Sequence, residues 1–213
     1  MPRAKQRTPE LRDRVLSVAV ALLASEGAAQ LTTRKVAEHA HTSTPAVYEL
    51  FGDKSGLVRE IFLEGFRMLR RWFDELAETD DPRADLVSLL QAFRGFIRAN
   101  PVLAELMFLR RFTDFDPGPS DRKAGDAVRK FVVGRVCRCI DAGVLAGDAT
   151  DIAHALVALT EGLAATEVAG WLGSSKASVE RRWALAIEAV LDGFGGGARQ
   201  RSRAARRSTA AST

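Results

Sequence analysis

Cysteine is nearly absent: two residues in 213, Cys137 and Cys139, exclude a disulfide framework. One residue apart in a helical pattern, they stand roughly 200° apart at about 3.6 residues per turn and do not pair with each other. They read as small apolar fillers of a chain in a reducing cytoplasm. Histidine is equally scarce, and the His39-x-His41 pair has no third ligand near it, so neither metal nor cofactor is expected. No Ser-His-Asp set, glycine-rich phosphate loop or paired acidic motif is present, so no catalytic residues and no enzyme are expected. No apolar run approaches the ~20 residues of a membrane span. The basic-then-apolar start, Arg3 to Arg14 followed by Val15 to Ala24, has the outline of a secretory signal, but Glu10 and Asp13 interrupt it and no cleavage spacer follows.

What is there is an ordinary globular composition, 46% hydrophobic and 27% charged, long enough for a sizeable core. The net charge of +4 is unevenly placed: residues 1–59 carry nine Lys/Arg against six Asp/Glu, residues 60–198 carry 17 against 21, and residues 199–213 carry five against none. Basic ends around an acidic middle favour a polyanion partner for the ends only.

Helical spacing runs throughout. Thr8-Pro9 is a cap followed by a first-turn proline, Leu11, Val15, Val18, Ala19, Leu22 and Leu23 recur at helical spacing, and Gly27 is a stop, predicting a helix over 9–26. Thr32 or Thr33 opens a short helix with Val36, Ala37 and Ala40. Thr44-Pro45 opens another with Val47, Leu50 and Phe51, and the three residues between suit a near-perpendicular crossing. A wide apolar stripe from Leu57 to Leu76 predicts a connector helix, followed by helices of about 82–99, 101–111, 120–142, 149–172 and 178–194. DFDPG at 114–118 is a loop.

Residues from about 11 to 62 resemble the DNA-binding domain of TetR-family bacterial transcriptional regulators. The resemblance rests on the first helix with Gly27, the L-T-T-R-K-V-A run at 31–37, and P-A-V-Y-x-L-F-x-x-K-x-x-L from Pro45 to Leu57. The turn departs from the family: His41 stands where glycine is usual and Thr42 where an apolar residue is common, and a histidine forced to positive φ is disfavoured relative to glycine. The implied fold class is all-α: a three-helix helix-turn-helix domain over 1–53 with a basic arm, a larger helical effector-binding and dimerisation domain over 54–194, and a disordered Arg-rich tail over 195–213.

Thr33 and Tyr48 match family positions that touch phosphate, and Lys54 adds a cation at a helix start. Arg34 matches a position that can reach guanine, and Ser43, Thr44, Pro45, Ala46 and Glu49 lie on the outward side or leading end of the second short helix, facing the major groove. Helix capping is a competing role for Thr33 and Thr44, a core position for Tyr48, and a solvated or phosphate-bound charge for Arg34.

Such bodies commonly hold a small molecule, and Phe62, Phe66, Phe93, Phe96, Met107, Phe108, Phe112, His154 and Glu161 are the candidate lining for an apolar or aromatic effector. The last two helices carry Leu156, Leu159, Leu163, Val179, Trp183, Ile187 and Val190, the expected homodimer interface. The expected function is a regulator, a repressor, that reads a palindromic double-stranded operator as a homodimer and is released by a small-molecule effector. The alternative is a helical adaptor or sequence-nonspecific DNA-binding protein without a small-molecule ligand. No membrane contact is expected.

Overall fold

Side-chain caps and first-turn prolines set most helix starts. The structure is a computed structural model that describes residues 9–109 and 115–210; the expected cap Thr8 and the pocket candidate Phe112 lie outside them. Helix α1 (Pro9–Glu26) buries Leu11, Val15, Leu16, Ala19, Leu22 and Leu23. After a 3-10 turn at Ala28–Gln30, α2 (Thr33–His39) is capped by Thr32, whose Oγ1 accepts the Lys35 N–H at 3.2 Å. Helix α3 (Thr44–Phe51) is capped by Ser43 rather than Thr44. Proline lacks an N–H at either of the first two helical positions, so the Thr-Pro pair alone does not say which residue caps.

Helices α4 (Lys54–Asp74), α5 (Pro82–Ala99) and α6 (Pro101–Ala104) follow, the last running into a π-helical turn at Glu105–Leu109. The single helix expected over 120–142 is broken: α7 (Pro119–Arg122), a 3-10 turn at Lys123–Gly125, then α8 (Asp126–Asp141). A Cβ at Gly125, in that 3-10 turn, would come within 3.2 Å of the Phe66 ring, so a side chain there would crowd the ring. Helix α9 (Ala149–Val168) is capped by Asp148 and stops short of 172 at Gly170, whose φ is 76°. Helix α10 (Lys176–Ala210) continues through the stretch expected to be a disordered tail. Alanine and arginine are among the strongest helix formers and need no apolar periodicity to propagate a helix. No strand occurs among the described residues, and no helix among them is long and apolar enough to cross a membrane.

The chain divides into two compact units, one of residues 1–69 with 99–125 and one of residues 70–98 with 126–213. The division does not fall at 53, because Leu57, Val58, Ile61 and Phe62 of α4 are buried in the first unit. That unit's core contains Val15, Leu23, Leu31, Val36, Val47, Leu57 and Ile61. In it Phe66 packs edge-on to Phe62 at 5.1 Å and to Phe108 at 5.9 Å, and Arg59 Nε donates to Asp121 Oδ1 at 2.5 Å.

The second unit is pinned by buried charge. Arg94 of α5, 4% exposed, donates from Nε and one terminal nitrogen to Glu167 at 2.7 and 2.8 Å and to both Glu180 oxygens at 2.7 and 3.0 Å. The Trp183 indole N–H donates to Glu167 at 2.7 Å while the Arg94 guanidinium lies 4.8 Å from that ring's centroid, tying α5, α9 and α10 together. Burial works against ionised Glu167, but hydrogen bonds from Arg94 and Trp183 hold its carboxyl below the ordinary value. Burial raises the Cys139 thiol, so it stays protonated and serves as filler.

Asp85 fastens the α4–α5 connection. It accepts from the Thr79 N–H at 2.9 Å, the Thr79 hydroxyl at 2.8 Å and Arg138 at 2.6 Å, and the Thr79 N–H and Arg138 together lower its carboxyl from 3.8 to about 2. A depressed folded-state value stabilises the fold above the ordinary carboxylate range, and that contribution is lost as pH falls through the folded value. Thermal unfolding followed by circular dichroism from pH 7 to 2 should show Tm falling between about pH 4 and 2, and Asp85→Asn should shrink the fall within that window.

Candidate nucleic-acid interface

Helices α2 and α3 bury Val36, Ala37, Val47 and Phe51 between them and the rest of the first unit. The turn joining them closes in the six-residue pattern that ends many helices: the Thr42 N–H donates to the Ala37 carbonyl at 2.9 Å and the His41 N–H to the Glu38 carbonyl at 3.1 Å. His41 occupies the left-handed position with φ 52°, as its alignment with the family's glycine implies. The Thr42 hydroxyl, where an apolar residue is common, is buried without a hydrogen-bond partner. Arg14 of α1 reaches across to the Ala40 carbonyl at 3.2 Å, satisfying an acceptor that the end of α2 leaves open.

Tyr48 is 47% exposed, which removes the core role, and the Thr33 hydroxyl, on a residue only 9% exposed, donates to the Tyr48 Oη at 3.2 Å. Arg34, Ser43, Pro45 and Glu49 are exposed, whereas Thr44, Ala46 and Lys54 are half-buried. Ser43 Oγ accepts the Ala46 N–H at 3.4 Å, so the serine combines capping with exposure. The nine residues thus gather along the outer sides and leading ends of α2, α3 and α4. Arg34 and Lys54 are cations of this surface and Glu49 and Asp53 are acidic residues on it, while the Lys35 ammonium pairs with Glu26. His39 Nδ1 lies 2.9 Å from the Lys35 carbonyl of its own helix.

Two residues with no apparent chemistry position this surface. Asp53 Oδ1 accepts the Gly56 N–H at 2.7 Å and starts α4. A Cβ at Gly56 would stand 1.9 Å from the Phe51 carbonyl oxygen, so only glycine lets α4 begin against the end of α3. The available signal was a glycine one turn inside a helix start, where propensity disfavours it and packing alone justifies it. Arg12 braces the same junction, 2.6 Å from Glu60 and 5.4 Å from the Phe51 ring centroid.

The pocket candidates fall in both units. In the first unit Phe62, Phe66 and Phe108 form a ring cluster with Phe115, and Met107 packs where a Gly65 side chain would be. In the second, Phe93 packs edge-on to Phe73 and Phe96 edge-on to Trp72, both at 6.0 Å. Glu161 is half-buried, and burial raises its carboxyl. His154 is exposed and bonds the Thr150 carbonyl of its own helix at 2.7 Å, which corrects its expected interior position: it falls on the solvent side of α9.

The expected dimer face needs a larger correction. Leu156, Trp183 and Ile187 are at most 1% exposed, covered by their own chain. Leu159, Leu163, Val179 and Val190 are half-buried. Among the described residues, the most exposed large apolar side chains on and between α9 and α10 are Val168, Trp171 and Leu185, at 51, 87 and 68%. Three- and four-residue spacing marks an apolar stripe, but not whether the same chain or another covers it.

An amino-terminal helix-turn-helix unit with a larger helical body is the architecture of a DNA-binding transcriptional regulator. Residues 15–61 match the model of bacterial regulatory proteins of the tetR family, and residues 86–190 match the tetracyclin repressor-like C-terminal domain. The chain belongs to the TetR family. A solved protein of unknown function from Rhodococcus sp. RHA1 is 26% identical, with 91% of this chain and 98% of that chain covered and a TM-score of 0.72. The same fold is shared by a tetR-family regulatory protein from Rhodococcus RHA1, at 21% identity over 86% and 98% of the chains with a TM-score of 0.61. It is shared too by the fatty acid degradation regulator FadR from Bacillus halodurans, at 16% identity over 89% and 98% with a TM-score of 0.67. None of the curated proteins compared with the chain matches it.

Gly56→Ala should destabilise the protein by at least about 2 kcal/mol in denaturant unfolding, the reverse of the gain glycine-to-alanine gives inside an unobstructed helix. Thr42→Val should stabilise by about 1 kcal/mol, by removing a buried unpaired hydroxyl, and His41→Gly by about 0.5–1 kcal/mol, by relieving the left-handed backbone. Equal midpoints for all three variants and the parent would refute this account of the turn.

Proposed function

We propose that the protein is a repressor that binds a palindromic operator as a homodimer and leaves it when the helical body takes up a small apolar or aromatic effector. The observation that carries this reading is the outer side of α3: Ser43, Pro45, Tyr48 and Glu49 are exposed above a buried Val47 and Phe51, beside the Thr33–Tyr48 hydroxyl pair and the Arg34 and Lys54 cations. Hydroxyls and a lysine at a helix start suit phosphate oxygens, and a guanidinium fork suits guanine O6 and N7. One such unit touches too few bases for useful discrimination, so a second copy is required. The exposure of Val168, Trp171 and Leu185 supports a face on α9 and α10 that includes half-buried Leu159, Leu163, Val179 and Val190. The effector's apolar character is supported by the aromatic clusters of the body, and the cytoplasm is where such a regulator meets its operator.

Binding-site selection from a random duplex pool should return a palindrome; recovery of no motif would sink the regulator reading. Lys54→Ala should weaken all sequences alike and lower the salt slope by about 1, while Arg34→Ala should cost about 1–3 kcal/mol of discrimination at particular positions. Leu185→Arg should shift sedimentation from dimer to monomer, and a ligand screen should find an apolar compound that raises Tm and lowers operator affinity together.

A further inference from the structure

Thr33 and Tyr48 meet across α2 and α3, and the way they meet gives them different duties. The Thr33 hydroxyl has no capping work, because Thr32 caps α2 and Ser43 caps α3. Inside a helix a threonine donates to the carbonyl four residues earlier, as Thr160 does to Leu156 at 2.9 Å and Thr166 to Gly162 at 2.7 Å. Thr33 is the first residue of α2 and has no earlier turn of that helix to bond. Its proton goes instead to the Tyr48 Oη, 3.2 Å away and fifteen residues along the chain.

A phenol oxygen has one proton to give and two lone pairs to offer. With Thr33 donating into one lone pair, the Tyr48 proton is left over, on an exposed side chain at the outer side of α3. Thr33 itself is buried, so little of it is within reach of a phosphate. From this geometry we infer that Thr33 is a positioning residue: it makes no contact with DNA, but by donating to Tyr48 it presents that phenol as a donor to a phosphate oxygen. The inference rests on the DNA-binding reading above, and it divides between the two residues a contact that the family resemblance gives to both. A phosphate oxygen only accepts, so it is matched by a hydroxyl with its proton turned outward and repelled by one with its lone pairs turned outward. Drawing the Tyr48 proton outward makes the phenol oxygen a stronger acceptor, so the two bonds of the chain from Thr33 through Tyr48 to phosphate reinforce each other. Neither hydroxyl carries charge, so the contact displaces no counterion and adds nothing to the salt dependence.

The test is a double-mutant cycle in the full chain, read by anisotropy on a fluorescent random-sequence duplex of about 40 base pairs and on the duplex recovered by binding-site selection. Tyr48→Phe should weaken binding to both duplexes about tenfold, and Thr33→Val, which keeps the side-chain shape, about three- to tenfold. The ratio of the two affinities and the slope of log affinity against log salt should stay as in the parent. In the Tyr48→Phe background Thr33→Val should cost less than about twofold, and Thr33→Ser in the parent should keep full affinity. Equal costs of Thr33→Val in both backgrounds show that Thr33 acts without Tyr48, and the inference falls. It falls too if Thr33→Ser binds no better than Thr33→Val. A change in the affinity ratio with Tyr48→Phe makes Tyr48 a reader of bases and overturns the phosphate contact. Lys54→Ala serves as the control, since losing a cation lowers the salt slope. If it does so while Thr33→Val and Tyr48→Phe leave affinity unchanged, the hydroxyl pair is refuted and the DNA-binding reading stands. If none of the three substitutions moves affinity for either duplex, the reading and this inference fall together.

Discussion

The approach of the Phe51 carbonyl to Gly56 is the constraint on which the reading surface depends. With 1.9 Å between that oxygen and any Cβ, α4 starts against the end of α3 only because residue 56 has no side chain. Asp53 then holds the first turn, and Arg12 bridges α1 to the ring of Phe51 and the carboxylate of Glu60. Helices α1 and α4 thereby brace the end of α3. An element that must present side chains at a set spacing is better served by such over-determined support than by its own short length, since eight residues do not sustain a helix alone.

In the second unit the organising interactions are ionic, and their strength comes from concealment. Arg94 satisfies two carboxylates and the face of an indole at once, and Glu167 receives donors from both Arg94 and Trp183. Such a network specifies one arrangement of α5, α9 and α10, since a slip along any of them strands a buried charge. Asp85 does the same for the connection between α4 and α5. Against this well-determined interior, Val168, Trp171 and Leu185 are the most exposed large apolar side chains among the described residues.

Local chemistry made much of this visible in advance. The bounds of α1 and α5 and the strained turn at His41 stand where sequence placed them, and of the two threonines that could open α2 it is Thr32 that caps. What escaped were relations between distant residues. The partner that forbids a side chain at Gly56 is a carbonyl, which no side-chain pattern reports. Periodicity named Trp183 and Ile187 as apolar positions of α10, but their cover comes from within the same chain, and the apolar side chain that α10 exposes is Leu185 instead. The close approach of the Phe66 ring to Gly125, about sixty residues away, was likewise invisible to periodicity. Of the candidate surface, that the Thr33 hydroxyl is spent on Tyr48, and the cap supplied by Ser43, was not legible in the sequence.

The chain contains one tyrosine, and it lies half exposed on the outer side of α3 with its oxygen 3.2 Å from Thr33. A lone phenol ring at that position is a built-in reporter: its resonances need no assignment by elimination, and any molecule that settles on α3 must perturb them first.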